Sequence, residues 1–77
     1  MKHEKYYYRE PEVKEMADCL GISLWGHTPQ GDLRISRGAE DQPTGAMTAN
    51  EIRVEFAAKF NLVPLRPGGV MVRAVPK

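Results

Sequence analysis

The 77-residue sequence has one cysteine, no long apolar run and almost no excess of charge of either sign. Cys19 has no second cysteine to pair with, so an internal disulfide is excluded and a reducing, cytoplasmic setting is expected. No apolar stretch approaches the ~20 residues that a membrane-spanning helix needs. The charged N-terminus also lacks the apolar core of a secretory signal. We therefore expect neither membrane insertion nor secretion.

Basic and acidic side chains are nearly balanced. The chain carries 11 Lys and Arg against 10 Asp and Glu, a formal net charge of +1. Residues 1–49 hold six basic and eight acidic side chains, whereas residues 50–77 hold five basic and two acidic ones. Duplex-DNA-binding domains usually carry a strongly basic stripe, because phosphate neutralisation supplies much of their affinity. This mild asymmetry argues against a dedicated DNA-binding protein and leaves nucleic acid as an alternative partner.

Motifs of catalysis and metal binding are also missing. The sequence has no Gly-x-Ser-x-Gly elbow, phosphate-binding loop or dinucleotide fingerprint. His3, His27 and Cys19 share no short motif, whereas a zinc site needs three or four ligands at restricted spacings. We expect no catalytic residues, no metal and no cofactor, and hence no enzymatic activity.

The first half of the chain is predicted to contain a helix and a β-hairpin. Apolar residues recur at helical spacing from Val13 to Leu20, and Gly21 supplies a left-handed stop. Two alternating segments, residues 22–25 and 33–37, flank a stretch rich in turn formers, as in a hairpin. Residues 38–47 have no periodicity and are predicted to form a polar loop.

The second half repeats this order of elements. Thr48 and Glu51 form a capping box before a helix predicted to end at Phe60, and Asn61 takes the position of the stop. Residues 62–65 and 70–75 then flank a Pro-Gly turn of the type II pattern. Because Pro64 has no N–H group, its strand is expected at a sheet edge or at a bulge.

These elements predict a single small α+β domain over residues 1–77, in the order (β)αββαββ. Residues 1–9 contain three consecutive tyrosines and are expected to form an N-terminal strand or arm. The resulting architecture is one antiparallel sheet of four to five strands with two helices packed on one face.

A second interpretation of the first helix depends on the residues that follow it. Residues 15–23 resemble the first helix and turn of a helix-turn-helix motif, which would imply a transcription regulator. That family needs a second helix beginning near Ser23, where this chain has Gly26 and Pro29. Because Pro in a helix interior costs about 3 kcal/mol and Gly about 1, the segment is predicted to be a hairpin.

Alternation along the predicted strands divides the side chains between two faces. The set expected to face the helices is Leu33, Ile35, Val70, Val72 and Ala74. The set expected on the open face is Arg34, Ser36, Met71, Arg73 and Val75.

If one sheet carries both hairpins, its open face gathers the residue types that are enriched in protein interfaces. The candidate binding residues are Tyr6, Tyr7, Tyr8, Trp25, Arg34, Arg37, Met71 and Arg73. The simpler alternative is that Trp25 covers a small core and the arginines are only solvated.

The sequence predicts a small non-enzymatic binding protein that acts through protein–protein contacts, such as an inhibitor, adaptor or regulator of the phage or bacterial accessory type. The same aromatic and basic side chains would suit single-stranded nucleic acid, which is the alternative target. A homodimer formed through a sheet edge is a third expectation, since so short a chain gains from a shared core.

Overall fold

The computed structural model describes residues 6–7 and 11–77, except for the side chain of Tyr6. Within them the chain forms two helices and six strands. The elements are β1 (Tyr6–Tyr7), α1 (Val13–Cys19), β2 (Ile22–His27), β3 (Leu33–Arg37), β4 (Gly45–Met47), α2 (Ala49–Lys59), β5 (Phe60–Pro64) and β6 (Val72–Pro76). Every strand pairing is antiparallel. The predicted α+β class with two helices is confirmed.

The first half folds as a helix followed by a hairpin. The N–H of Glu12 donates to the carboxylate of Glu15 at 2.8 Å at the start of α1, and Gly21 turns the chain after it with a φ of 74°. β2 begins at the next residue and pairs with β3. No second helix follows the turn, so the hairpin prediction is confirmed and the helix-turn-helix resemblance ends there.

The capping box at the start of α2 is confirmed by its contacts. The hydroxyl of Thr48 accepts a hydrogen bond from the N–H of Glu51 at 3.0 Å. The carboxylate of Glu51 accepts one from the N–H of Thr48 at 2.8 Å. Two N–H groups that the helix cannot itself satisfy are thereby paired. Met47, just before the cap, packs on the core cluster that contains Ile52.

The second hairpin is also confirmed, with β5 and β6 joined by the predicted type II turn. Gly68 has a φ of 74°, which a residue with a side chain rarely adopts. The N–H of Gly69 donates to the carbonyl oxygen of Arg66 at 3.0 Å and closes the turn. Pro64 lies in β5, which is an edge strand as expected.

The prediction of one four- to five-stranded sheet is wrong, because the strands form two separate sheets. One sheet has the order β2-β3-β4 and the other β1-β6-β5. Each hairpin takes a third strand from outside itself, β4 from the segment that follows β3 and β1 from the other end of the chain. The predicted loop over residues 38–47 ends in β4, whose pairing with β3 extends to a 2.9 Å hydrogen bond from Thr44 N–H to the carbonyl of Ile35. These hydrogen bonds join backbone N–H and C=O groups, so β4 can pair with β3 although its side chains show no alternating pattern.

Two further local predictions are wrong. No residue other than glycine has a positive φ among those described, so Asn61 is not a left-handed stop. Instead, α2 is followed directly by extended backbone at Phe60. Phe60 is the first residue of β5 and pairs with Pro76 in β6. Val70 is 72% exposed and lies before β6 begins, so it does not face the helices.

The main core lies between the two helices and the sheet β2-β3-β4. Its buried members are Ala17, Ile22, Ile35 and Ile52, and Leu33 packs against them as predicted. Ile52 is completely buried. No helix among the described residues is long and apolar enough to cross a membrane.

Candidate functional site

Trp25 occupies a β-bulge in the sheet β2-β3-β4. Leu24 pairs with Ile35 and Gly26 with Arg34, so Trp25 is an extra residue between two consecutive pairs. Bulges re-aim side chains, and a neighbouring glycine is a frequent marker of one. Its side chain is therefore placed by the backbone of a paired strand and not by a loop.

The indole of Trp25 is fixed by a buried acceptor. Its Nε1–H donates to the hydroxyl oxygen of Ser36 at 2.8 Å. Ser36 is completely buried, although alternation places it on the face opposite Ile35 and the core. The hydrogen bond directs the indole from its bulge in β2 towards the neighbouring strand β3. Trp25 as a whole remains 44% exposed.

Arg34 lies on the same outer face as Trp25. It pairs with Gly26 in β2 and with Ala46 in β4, so it sits in the central strand. Its Nε–H donates to the carbonyl oxygen of His27 at 3.2 Å, and the side chain is exposed. We call this surface the Trp25 face and define it as Ser23, Trp25, Arg34, Ser36 and Ala46. Within it the structure brings two of the predicted binding residues together.

Arg37 points away from the Trp25 face. It pairs with Ile22, whose side chain is in the core, so the two share the helix-facing side of the sheet. Its guanidinium donates to both carboxylate oxygens of Glu55 on α2, at 2.9 and 3.0 Å. These hydrogen bonds raise the pKa of Arg37 and lower the pKa of Glu55 from their ordinary values. Arg37 therefore joins the sheet to α2 and is not part of the predicted open face.

Tyr7 is a packing residue and not an exposed one. It is only 7% exposed, and its hydroxyl is hydrogen-bonded to the sulfur of Cys19 at 3.1 Å. Burial, reinforced by this hydrogen bond, raises the pKa of Tyr7 above its ordinary value. The contact ties β1 to the end of α1, which removes Tyr7 from any partner surface. Tyr8 and the side chain of Tyr6 lie outside the described residues.

Met71 and Arg73 belong to the other sheet. Arg73 lies in β6, where it pairs with Val63 on one side and Tyr6 on the other, and both Met71 and Arg73 are half-buried. Because Arg34 and Arg73 are in separate sheets, the open face that was expected to join both hairpins does not form. The predicted candidates therefore reduce to Trp25 and Arg34 as a site.

Sequence reasoning missed the role of Ser36, which was expected to be an exposed residue. The signal was Gly26, since a glycine inside a strand often marks a bulge. A bulge at Trp25 brings its ring towards the outer face, where Ser36 is the nearby hydroxyl.

The titratable groups with shifted pKa values are accounted for by structural contacts. Tyr7 is buried against Cys19, and Arg37 and Glu55 form an ion pair. In residues 6–7 and 11–77, no three His, Cys, Asp or Glu side chains are grouped so that they would hold a metal ion. The candidate site among the described residues is therefore the Trp25 face, where Trp25 and Arg34 are exposed and available for binding.

Comparison with protein-family models, with curated proteins and with solved structures found no match for this chain.

Proposed function

We propose that this chain is a small, non-enzymatic binding protein that contacts a protein partner through the Trp25 face. The observation that carries the proposal is the fixed indole, which donates to the fully buried Ser36 while 44% of Trp25 stays exposed. An exposed aromatic ring already held in place loses little conformational entropy on binding. Trp and Arg are also the residue types that most often dominate the energy of protein interfaces.

The charge of the Trp25 face favours a protein over a nucleic acid. Arg34 is the one cation among the five residues of this face, because Arg37 pairs with Glu55 and Arg73 lies in the other sheet. Nucleic-acid affinity is built mainly from several phosphate contacts. One arginine beside one tryptophan is better suited to a polar and aromatic contact with a protein surface.

Under this proposal the protein acts in the cytoplasm as an inhibitor, adaptor or regulator, of the accessory type found in bacteria and their phages. Such proteins act by covering a surface of a larger assembly. The absence of catalytic motifs from the sequence supports a role in binding, and the identity of the partner follows from the experiment below.

The test is affinity purification of the tagged chain from a lysate of the organism that encodes it, with and without nuclease. Four forms are compared: the wild type, Trp25→Ala, Arg34→Gln and the control Val70→Ala, which changes the 72% exposed Val70 outside the Trp25 face. We expect a protein that is captured by the wild type and the control, is insensitive to nuclease, and is lost with the other two variants.

Two results would overturn the proposal. Capture that disappears after nuclease treatment would identify a nucleic acid as the target, and a steep fall of affinity with salt would support that reading. A partner retained by folded Trp25→Ala and Arg34→Gln would show that binding uses another surface. Light scattering on the purified chain separates both cases from self-association, which would double the measured mass.

A further inference from the structure

A groove of about 300 Å³ lies between α2 and the start of β5, in the half of the molecule that does not carry the Trp25 face. Its lining is mainly apolar and includes Met16, Ala57 and Leu62. Phe56 and Phe60 also line it, and their rings stack with centroids 5.1 Å apart. Phe56 is 3% exposed, so the bottom of the groove reaches the packed interior.

Both charged side chains that line this groove are cations, Arg53 and Lys77. The ammonium of Lys77 donates to the carbonyl oxygen of Ala57 at 2.7 Å, which holds the positive charge beside the last turn of α2. Arg53 is exposed, one helical turn before Ala57 on the same side of α2.

The acidic side chains of α2 lie on a different side of the helix. Glu51 caps the helix start, and Glu55 lies one turn further, where it pairs with Arg37 at 2.9 Å and with Lys59 at 3.7 Å. Neither carboxylate lines the groove. The helix therefore presents a neutralised side towards β3 and a cationic side towards the groove.

We propose that this groove binds an acidic segment of a partner protein, with one bulky apolar side chain entering beside Phe60 and Leu62. Asp or Glu residues next to that side chain pair with Arg53 and Lys77. The apolar lining supplies burial for the side chain, and the two cations select for carboxylates flanking it. At about 300 Å³ the groove is at the small end of ligand pockets. This site is independent of the Trp25 face and of the function proposed for it.

The probe is a synthetic pentapeptide of sequence Asp-Glu-Phe-Glu-Asp, acetylated and amidated at its ends so that only the side chains are charged. Its matched control is Asn-Gln-Phe-Gln-Asn. Amide NMR spectra of the full chain are recorded while each peptide is added at fixed salt. We expect saturable shifts at Met16, Phe60 and Leu62 with the acidic peptide, and at least about tenfold weaker binding of the neutral one.

Variants of the chain test the role of the cations. Arg53→Gln and Lys77→Gln should each weaken binding of the acidic peptide by about threefold to tenfold. Arg66→Gln removes an equal charge in the β5–β6 turn, outside the groove, and should leave the affinity unchanged. The changed side chains are exposed, so each variant is expected to fold. The same spectra verify that it does.

Several outcomes would overturn the proposal. The groove is not a site if no shifts occur at millimolar peptide, or if the shifts fall on other residues. Equal binding of both peptides, or an equal loss in Arg66→Gln, would show that Arg53 and Lys77 do not select the ligand. A dimer by light scattering that Arg53→Gln dissociates would make a second copy of this chain the occupant.

Discussion

The two sheets of this protein differ in how completely they are covered, although each contains a hairpin that follows a helix. Strands β2 and β3 contain three buried residues, Ile22, Ile35 and Ser36, whereas no residue of β5 or β6 is buried. Val63 in β5 and Leu65 just beyond it are 37% and 44% exposed. Similar local sequence patterns thus produce one hairpin that contributes buried residues to the core and one whose strands stay partly exposed. The candidate site with fixed side chains is on the well-covered sheet, because rigid support is what holds Trp25 in place.

The largest expected difference between the sheets is in the cost of truncating an apolar side chain. Ile35→Ala should lower the free energy of unfolding by about 2–5 kcal/mol, because the buried side chain leaves a cavity in the core. The matched change in the other sheet, Val63→Ala, should cost less than about 1 kcal/mol, since Val63 is exposed at an edge. Urea unfolding measures both values. If Ile35→Ala and Val63→Ala lowered the free energy of unfolding equally, the two sheets would not differ in how well they are packed.

A smaller effect is expected when the support of Trp25 is removed. Ser36→Ala deletes the acceptor of the indole and should lower the free energy of unfolding by about 1 kcal/mol. The chain has a single tryptophan, so fluorescence reports this ring alone. Quenching by acrylamide should increase and anisotropy should fall in the variant. If both stay at the wild-type values, Ser36 does not hold the ring.

The other sheet has its own hydrogen bond to the helices, between Tyr7 and Cys19. Sulfur is a weak hydrogen-bond partner, so Tyr7→Phe should lower the free energy of unfolding by about 0.5 kcal/mol or less. Thermal unfolding of this variant beside Ser36→Ala compares one hydrogen bond from each sheet. A larger loss for Tyr7→Phe would mean that the β1-β6-β5 sheet is the more tightly held of the two.

A comparably small effect is expected in the pH dependence supplied by Arg37 and Glu55, which join β3 to α2. Arg37 lowers the pKa of Glu55 in the folded chain. The pair therefore stabilises the fold above the unfolded pKa of Glu, ~4.3, and this contribution is lost as the pH falls through the folded pKa. Solvent screening limits it to about 0.5 kcal/mol.

Glu55→Gln tests this ion pair by denaturant unfolding at several pH values. The variant should be less stable than the wild type at pH 7, and the two should converge as the pH falls below the folded pKa of Glu55. A stability difference that is the same at pH 7 and at pH 3 would show that the carboxylate charge is not the cause.

Local features of the sequence predicted the elements well because their causes are local. The Thr48–Glu51 capping box, the stop at Gly21 and the Pro67-Gly68 turn each depend on residues that are close in sequence. Both hairpins follow from alternation and turn residues in the same way. The arrangement of strands into two sheets depends on pairings such as Tyr7 with Val72, which no local pattern encodes.

The candidate site was predicted in part for the same reason. Trp25 and Arg34 were named because of their residue types and their alternating segments. Arg37 was misplaced because it was chosen by residue type, although alternation puts it on the same side of β3 as Leu33 and Ile35. Its pairing with Ile22 and its contact with Glu55 agree with that direction. Tyr7 was misplaced because its burial depends on Cys19, a contact across 12 residues.

The most direct test of the Trp25 face is fluorine NMR of the chain with fluorotryptophan in place of tryptophan. The single tryptophan gives one resonance from Trp25, free of signals from the purified partner. On addition of the captured partner, we predict that this resonance shifts or broadens to saturation, with the same dependence on partner concentration as complex formation. A complex that forms while the Trp25 resonance stays unchanged would contradict the account.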